Sequence, residues 1–329
     1  LIEDPEWVVA APAQEWAALV GVAENPSRTN TEQLQKNLRT LLDERLLAAW
    51  VIDDRSQSFP KMMSKTLTAT VREMISTVCD RLVADSKGVA LLALGSFGVG
   101  EPRMGSDADL LVVTEGREIQ EITQRIFFLN RIFSDGGLLK IDFRLRGEGA
   151  NAPLVQDLET YKRYFTTRMA PWEHVAMSKC AHWWGDRNVS EAFFEALRGV
   201  IAAPVTAERL KALTDMRRQL ESVGHKAAHL FETKRSPGGR YDIEYLTAIG
   251  LAHSGIEFPF HAATHERLER LVSAGLLTNT DRDALRKSFE LFHTIDFLLE
   301  LQGFSIPNTL QKEKKIAAYL DRTFDLLGI

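Results

Sequence analysis

The chain has 329 residues, 45% of them hydrophobic, enough to bury a full core and to build two or three compact units. Its 40 basic residues against 45 acidic ones leave a net charge of -5. That balance excludes the broad positive footprint of a protein that coats nucleic acid and favours a protein or small-molecule partner. Cys79 and Cys180 form no Cys-x-x-Cys pair and are too few for a metal site, so reduced thiols are expected, with a disulfide as the alternative. No apolar run approaches the roughly 18 residues of a spanning helix, and no basic stretch followed by an apolar one opens the chain. The expectation is a soluble, cytoplasmic protein without membrane contact, and its start at Leu1 rather than Met suggests a piece of something longer.

Leu34, Leu38, Leu41, Leu42, Leu46 and Leu47 recur at three and four residues and predict an amphipathic helix from Thr31 to about Asp53. Leu67, Val71, Met74, Ile75, Val78 and Leu82 predict a second, from Ser64 to Ala84, ending before the turn signal Ser86-Lys87-Gly88. Two almost wholly apolar runs follow, Val89 to Leu94 and Asp109 to Thr114, each the length of a buried strand. A third strand is expected over Leu138 to Leu145, with Leu139, Ile141, Phe143 and Leu145 on one face and Lys140, Asp142, Arg144 and Arg146 on the other. Ile119 to Phe133 reads as a helix between the second and third strands. From about Thr160 helical periodicity persists to the end, broken at Gly185, at Pro204, at Ser236-Pro237-Gly238-Gly239 and at Gly303 to Pro307. The class is therefore α+β: a helical amino-terminal segment over 1–85, a small mixed-sheet unit over 86–185 and a helical bundle over 186–329.

The chemistry-bearing stretch is Leu94-Gly95-Ser96-Phe97-Gly98, then Gly100-Glu101, then Ser106-Asp107-Ala108-Asp109-Leu110. A strand that ends in Gly95-Ser96 lets backbone amides approach an anion closely, because glycine has no side chain to hold a phosphate off. Asp107 and Asp109, two residues apart at a strand start, emerge on one face. Their like charges repel unless a cation lies between them, and hard carboxylate ligands suit magnesium carrying substrate phosphates. Asp142, on the polar row of the third strand, completes a three-carboxylate set able to hold two ions about 3.5 to 4 Å apart for phosphoryl chemistry. Singly, each piece has a plainer reading: Gly-Ser turns are common, and an Asp-x-Asp pair is often a solvated strand edge. Together, and in this order, they point to a site.

The compound pattern resembles the nucleotidyltransferase superfamily of the polymerase-beta type, and within it the glutamine synthetase adenylyltransferase family. That family carries Gly-Lys-Leu-Gly-Gly-x-Glu, Ser-Asp-x-Asp-Leu and Asp-x-Arg-Leu-Arg-Pro-x-Gly. Here the corresponding segments are Gly95-Ser96-Phe97-Gly98-Val99-Gly100-Glu101, Ser106 to Leu110, and Asp142-Phe143-Arg144-Leu145-Arg146-Gly147-Glu148-Gly149. Trp172-Glu173-His174-Val175-Ala176 and the set Lys234, Gly238, Gly239, Asp242, Ile243, Glu244 and Tyr245 answer two further segments, so the resemblance spans about Leu34 to Leu251. Ser96 stands where the family has Lys, Val99 where it has Gly, and Gly147 where it has Pro.

The resemblance implies transfer of AMP from ATP to a tyrosine hydroxyl of glutamine synthetase, or the phosphorolytic reverse. Two magnesium ions would sit on Asp107, Asp109 and Asp142, nucleotide would lie near Gly95 and Ser96, and signal protein PII is a possible further partner. Arg144 and Arg146 are candidate phosphate ligands or, equally, salt-bridge partners of the aspartates. Lys234, ahead of a Gly-Gly turn and a helix, is a candidate nucleotide ligand, while Asp242 and Glu244 also suit a first helical turn on dipole grounds alone. Trp172, Trp183 and Trp184 are expected in the core, and His174 as a structural hydrogen-bonder. The readings kept beside this one are a transferase with another acceptor and a non-catalytic nucleotide-binding regulatory module.

Overall fold

The computed structural model describes residues 28–52, 59–135, 137–144, 152–203, 205–226 and 233–302. Arg146, Leu145 and the breaks at Pro204 and at Gly303 to Pro307 lie outside the described residues. The architecture is a five-stranded mixed sheet with helices, the α+β class expected from the sequence. The chain divides into two units: residues 1–164 with 180–195, and residues 165–179 with 196–329.

In the first unit, α1 (Arg28–Ile52) and α2 (Phe59–Leu82) form as the leucine stripes require. Leu34, Leu38, Leu42 and Leu46 of α1 are buried, as are Leu67, Val71, Met74, Ile75 and Val78 of α2. Arg45 donates to Glu73 at 2.6 Å and ties one helix to the other. Strands β1 (Val89–Leu94) and β2 (Ala108–Thr114) pair antiparallel from Val89 opposite Thr114 to Ala93 opposite Leu110. Every residue of β1 is buried, and Asp109 is the only residue of β2 that is not. This is why both read as continuous apolar runs: each is a central strand covered on both faces. Helix α3 (Ile119–Asn130) follows β2 and ends in a π-helical turn, Arg131–Asp135.

The far edge of β2 is shared by two short parallel segments, β3 (Ile141–Asp142) at its start and β4 (Val155–Asp157) at its end. The third strand is thus much shorter than the Leu138 to Leu145 expected from its alternation. Backbone competition explains the difference. The N–H groups of Leu138 and Leu139 both donate to the Phe133 carbonyl, each at 3.1 Å, closing the turn after α3 instead of extending a ladder. At the other end the Arg144 N–H donates to Asp142 Oδ1 at 2.7 Å, an Asx turn that stops the strand. Ile141, Asp142 and Phe143 are all buried, while Lys140 and Arg144 on either side are exposed.

Beyond α4 (Leu158–Thr167) and α5 (Pro171–Met177), Cys180–Gly185 forms β5, a strand inside a region expected to be helical throughout. It pairs antiparallel with β1, giving the order β3-β2-β1-β5. Trp183 and Trp184 are buried as expected; Trp184 donates to Asp80 of α2 at 2.6 Å, and Trp183 meets Phe97 edge to face at 5.7 Å. Trp172, expected in the core, is instead 38% exposed, because α5 turns its buried face through His174, Val175 and Met177.

The second unit is helical: the end of α4, α5, the end of α6 (Arg187–Ile201), then α7 (Ala207–Lys226), α8 (Arg240–Ser254), α9 (Thr264–Ser273) and α10 (Asn279–Gln302). Its apolar clusters form around Val175, Leu213, Tyr245 and Ala248 and around Ile243, Leu268, Leu285 and Phe289. Buried charges stitch the bundle together and are paired, as burial demands. Arg217 of α7 grips Asp242 of α8, Arg240 meets Asp296 of α10 at 3.0 Å, and Lys179 meets Glu244 at 2.7 Å. Among the described residues no helix is long and apolar enough to cross a membrane.

Candidate active site

The candidate site of the first unit is built where β1 ends and β2 begins. After Leu94 the chain enters a single helical turn, Gly95–Gly98, with Gly95 at φ +61. A side chain at Gly95 would be doubly excluded: the backbone lies in the left-handed region, and a Cβ there would fall 2.7 Å from Asp109 Oδ2. The Asp109 carboxylate is therefore packed directly on the glycine Cα. Ser96 follows on that turn, and its carbonyl accepts from the Glu101 N–H at 2.8 Å, folding the Val99 to Arg103 segment back. Ser64 of α2 donates to the Pro102 carbonyl at 2.6 Å and anchors that segment.

Parallel pairing sets the aspartates. Asp109 of β2 and Asp142 of β3 are register partners, as are Ala108 and Ile141. Register partners in adjacent strands project from the same face, and Asp107, two residues before Asp109, shares it. The structure thus brings Gly95, Asp107, Asp109, Asp142 and Arg144 to one corner of the sheet, with Ser96 on the turn beside it. Lys234 belongs to the second unit, and Arg146 lies outside the described residues.

Cations answer the three carboxylates. Arg144 donates to Asp142 through Nε, at 3.0 Å to Oδ1 and 2.7 Å to Oδ2, and through Nη2. Burial by itself would raise the Asp142 carboxyl, but these bonds, the Arg144 N–H and the positive charge of Arg144 and Lys140 together hold it below its ordinary value. Asp107 and Asp109 also favour the charged Arg144, which places the guanidinium within electrostatic reach of all three. Lys140 binds Asp107 through its ammonium group. The sequence shows Lys140 only as one member of a polar row; its place at Asp107 depends on the β2 to β3 pairing, in which its carbonyl accepts from the Ala108 N–H at 2.8 Å.

Among the described residues no three Asp, Glu, His or Cys side chains converge as a ready metal-binding set. Asp107 and Asp142 are turned onto Lys140 and Arg144 instead. The donor chemistry nevertheless suits a hard divalent ion: Asp109 and Asp142 are register partners, Asp107 directly precedes β2, and the protein's own cations already sit on Asp107 and Asp142.

In the second unit the loop before α8 is held from within. Asp242, in the first turn of α8, accepts from Arg217 Nη2 at 2.8 Å and from the Gly238 N–H at 2.7 Å, while Arg217 also donates to the Arg235 and Ser236 carbonyls at 3.0 and 3.1 Å. Lys234 Nζ lies 5.1 Å from the centre of the Tyr241 ring. Burial opposes the charge on Glu244, but Lys179, with Arg240 and Lys234, holds its carboxyl below the ordinary value. His174 is buried, and its Nδ1 makes no hydrogen bond among the described residues. Burial and the nearby Arg209 lower its pKa to about 4 and keep it neutral.

The chain is similar to known proteins over much of its length. The chain is 25% identical to the bifunctional glutamine synthetase adenylyltransferase/adenylyl-removing enzyme of Mycobacterium leprae, over 93% of this chain and 34% of that protein. It is 28% identical to the enzyme of the same name from Thioalkalivibrio sulfidiphilus, over 65% of this chain and 24% of that protein. The Mycolicibacterium smegmatis enzyme is 24% identical over 86% of this chain and 30% of its own length. The chain thus spans about a quarter to a third of the curated relatives it matches. The model of the glutamate-ammonia ligase adenylyltransferase family matches residues 3–196, more than half of the sequence, and the protein belongs to that family.

Proposed function

We propose that this chain transfers a nucleotidyl group, moving AMP from ATP to a tyrosine hydroxyl of glutamine synthetase with release of pyrophosphate, or running the phosphorolytic reverse, in which orthophosphate takes up the AMP as ADP. The observation that carries the reading is the corner of the sheet where Asp109 rests on the bare Cα of Gly95 and stands in register beside Asp142. Asp107, Asp109 and Asp142 would hold two magnesium ions, which supply charge neutralisation at the phosphates and lower the pKa of the attacking hydroxyl. The Gly95-Ser96 turn brings backbone amides close enough for the phosphate chain. Arg144 keeps Asp142 ionised and oriented, and its remaining N–H groups are suited to phosphate oxygens. Lys234 and Arg146 are proposed as nucleotide ligands, and PII as a regulatory partner. Residues 86–185, which carry the sheet together with the 165–179 excursion that belongs to the second unit, are proposed as the transfer module, in a cytoplasmic protein that engages neither nucleic acid nor membrane.

The test is incubation of the purified chain with alpha-labelled ATP, magnesium and unmodified glutamine synthetase, beside Asp107→Asn plus Asp109→Asn. Label on the synthetase that disappears in the double variant supports the reading. A second acceptor is favoured by Ser96, which departs from the family's lysine in the phosphate-facing turn. Magnesium-dependent ATP binding without label on the synthetase would reject that acceptor and direct the assay to other hydroxyls. ATP binding with no product on any acceptor would indicate a regulatory module.

A further inference from the structure

The two cations at the aspartates are held very differently. Arg144 grips a buried carboxylate through Nε and Nη2 and is further fixed by its own backbone N–H. Lys140 reaches Asp107 with one ammonium group, and although both cations are exposed, the Asp107 carboxylate is 35% exposed where that of Asp142 is 8%. Its backbone is pinned, because the Lys140 carbonyl accepts the Ala108 N–H between Asp107 and Asp109. The result is a flexible four-carbon stem rooted at a fixed point beside the carboxylates, ending in a weakly held charge. A divalent ion on Asp107 would repel that ammonium and compete for the same oxygen. The turn Gly95–Gly100 contains no Lys or Arg, so charge on a phosphate chain laid against it must be met from outside the turn.

We propose that Lys140 is a triphosphate-binding residue: its ammonium holds Asp107 while no divalent ion is bound, and turns to the outer phosphate oxygens once an ion takes its place. This rests on the reading of Asp107 as a metal ligand given above. Lys140 then disfavours the metal-loaded site in the absence of nucleotide and favours it in its presence, so that metal and ATP bind together. A nucleoside monophosphate, lacking the outer phosphates, gains nothing from it.

Wild type, Lys140→Met, Lys140→Arg and Asp107→Asn are compared by titration with Mn2+ alone, followed by the signal of the free ion in electron paramagnetic resonance. The same chains are titrated with ATP and with AMP in excess Mg2+, and melted to check the fold. Lys140→Met is expected to bind Mn2+ alone roughly two- to fivefold tighter, since a competing cation is gone. It should bind ATP roughly tenfold more weakly with AMP unchanged, and Lys140→Arg should recover ATP binding. If wild type binds Mn2+ and ATP, Asp107→Asn loses both, and Lys140→Met matches wild type, the role of Lys140 is overturned while the aspartate site stands. Equal weakening of ATP and AMP overturns it as well, because the lysine then serves something other than the outer phosphates. Failure of both wild type and Lys140→Met to take up Mn2+, with or without ATP, overturns the metal reading and the role of Lys140 with it.

Discussion

Replacing Gly95 by alanine separates backbone strain from displacement of a carboxylate. At φ +61 an alanine costs about 1 kcal/mol relative to glycine. Its Cβ would also stand 2.7 Å from Asp109 Oδ2, where ordinary contact begins at 3.4 Å, so the carboxylate must retreat by the difference of 0.7 Å. Metal ligation tolerates about 0.2 Å, and misplacement of reacting groups by about 1 Å costs about a hundredfold in rate. Mn2+ affinity and nucleotidyl transfer should therefore fall by about ten- to a hundredfold. Gly100 supplies the control: its φ is +73, and nothing lies within 4 Å of a Cβ built there. Both variants should lose about 2–4 °C of melting temperature, the consequence of about 1 kcal/mol in a domain of this size. Only Gly95→Ala should lose metal binding and transfer. If the two variants bind Mn2+ and transfer label equally well, the contact between Gly95 and Asp109 does not govern the site.

Three further outcomes follow from the same structure. Asp142→Asn should reduce transfer by about a hundredfold or more while leaving the melting temperature within a few degrees of wild type, since an amide of the same shape still meets Arg144; full transfer in this variant would remove Asp142 from the chemistry. His174 is neutral when folded because its pKa is lowered from 6.5 to about 4. The unfolded chain then binds the extra proton between those values, so stability is complete above pH 6.5 and is lost as pH falls towards 4, by about 2 kcal/mol at pH 5. Urea unfolding at pH 7 and pH 5 of wild type and His174→Gln measures this, and an equal loss in both would discount the histidine. Asp242→Ala strands the buried Arg217 and frees the loop before α8, and should cost the second unit about 3–5 kcal/mol; a loss below about 1 kcal/mol would show that water replaces the carboxylate freely.

The strands that were legible in the sequence are the ones buried on both faces. Val89 to Leu94 and the run beginning near Asp109 are apolar throughout and are bounded by Gly88, Gly95 and Gly116, so length and composition were enough to find them. The Leu138 to Leu145 alternation was misleading because its first residues bond back to Phe133 and Asp142 bends the chain after itself, choices made by local hydrogen bonds that periodicity does not register. β5 was hidden because six residues cannot display a period among flanking helices; its aromatic pair Trp183-Trp184 ahead of Gly185 was the only cue. The spacing of Asp107 and Asp109 placed both on one face without any structure. That Asp142 is the register partner of Asp109, and that Lys140 lands on Asp107, follows from a parallel pairing between segments more than thirty residues apart, which no local pattern encodes.

The chain leaves the sheet unit after Tyr164, returns with Cys180 and leaves again after Glu195. Neither unit is therefore a continuous piece of polypeptide, and neither can be cut out at a single point. A fragment ending at Tyr164 would expose the edge of β1 that β5 covers, an apolar strand whose amides on that side would lose their partners, open to pairing between copies. During synthesis that edge waits until residue 185 has left the ribosome, by which time the helix Pro171–Met177 of the other unit has already been made. Any attempt to graft the Asp109–Asp142 corner onto another scaffold must carry the strand that comes back.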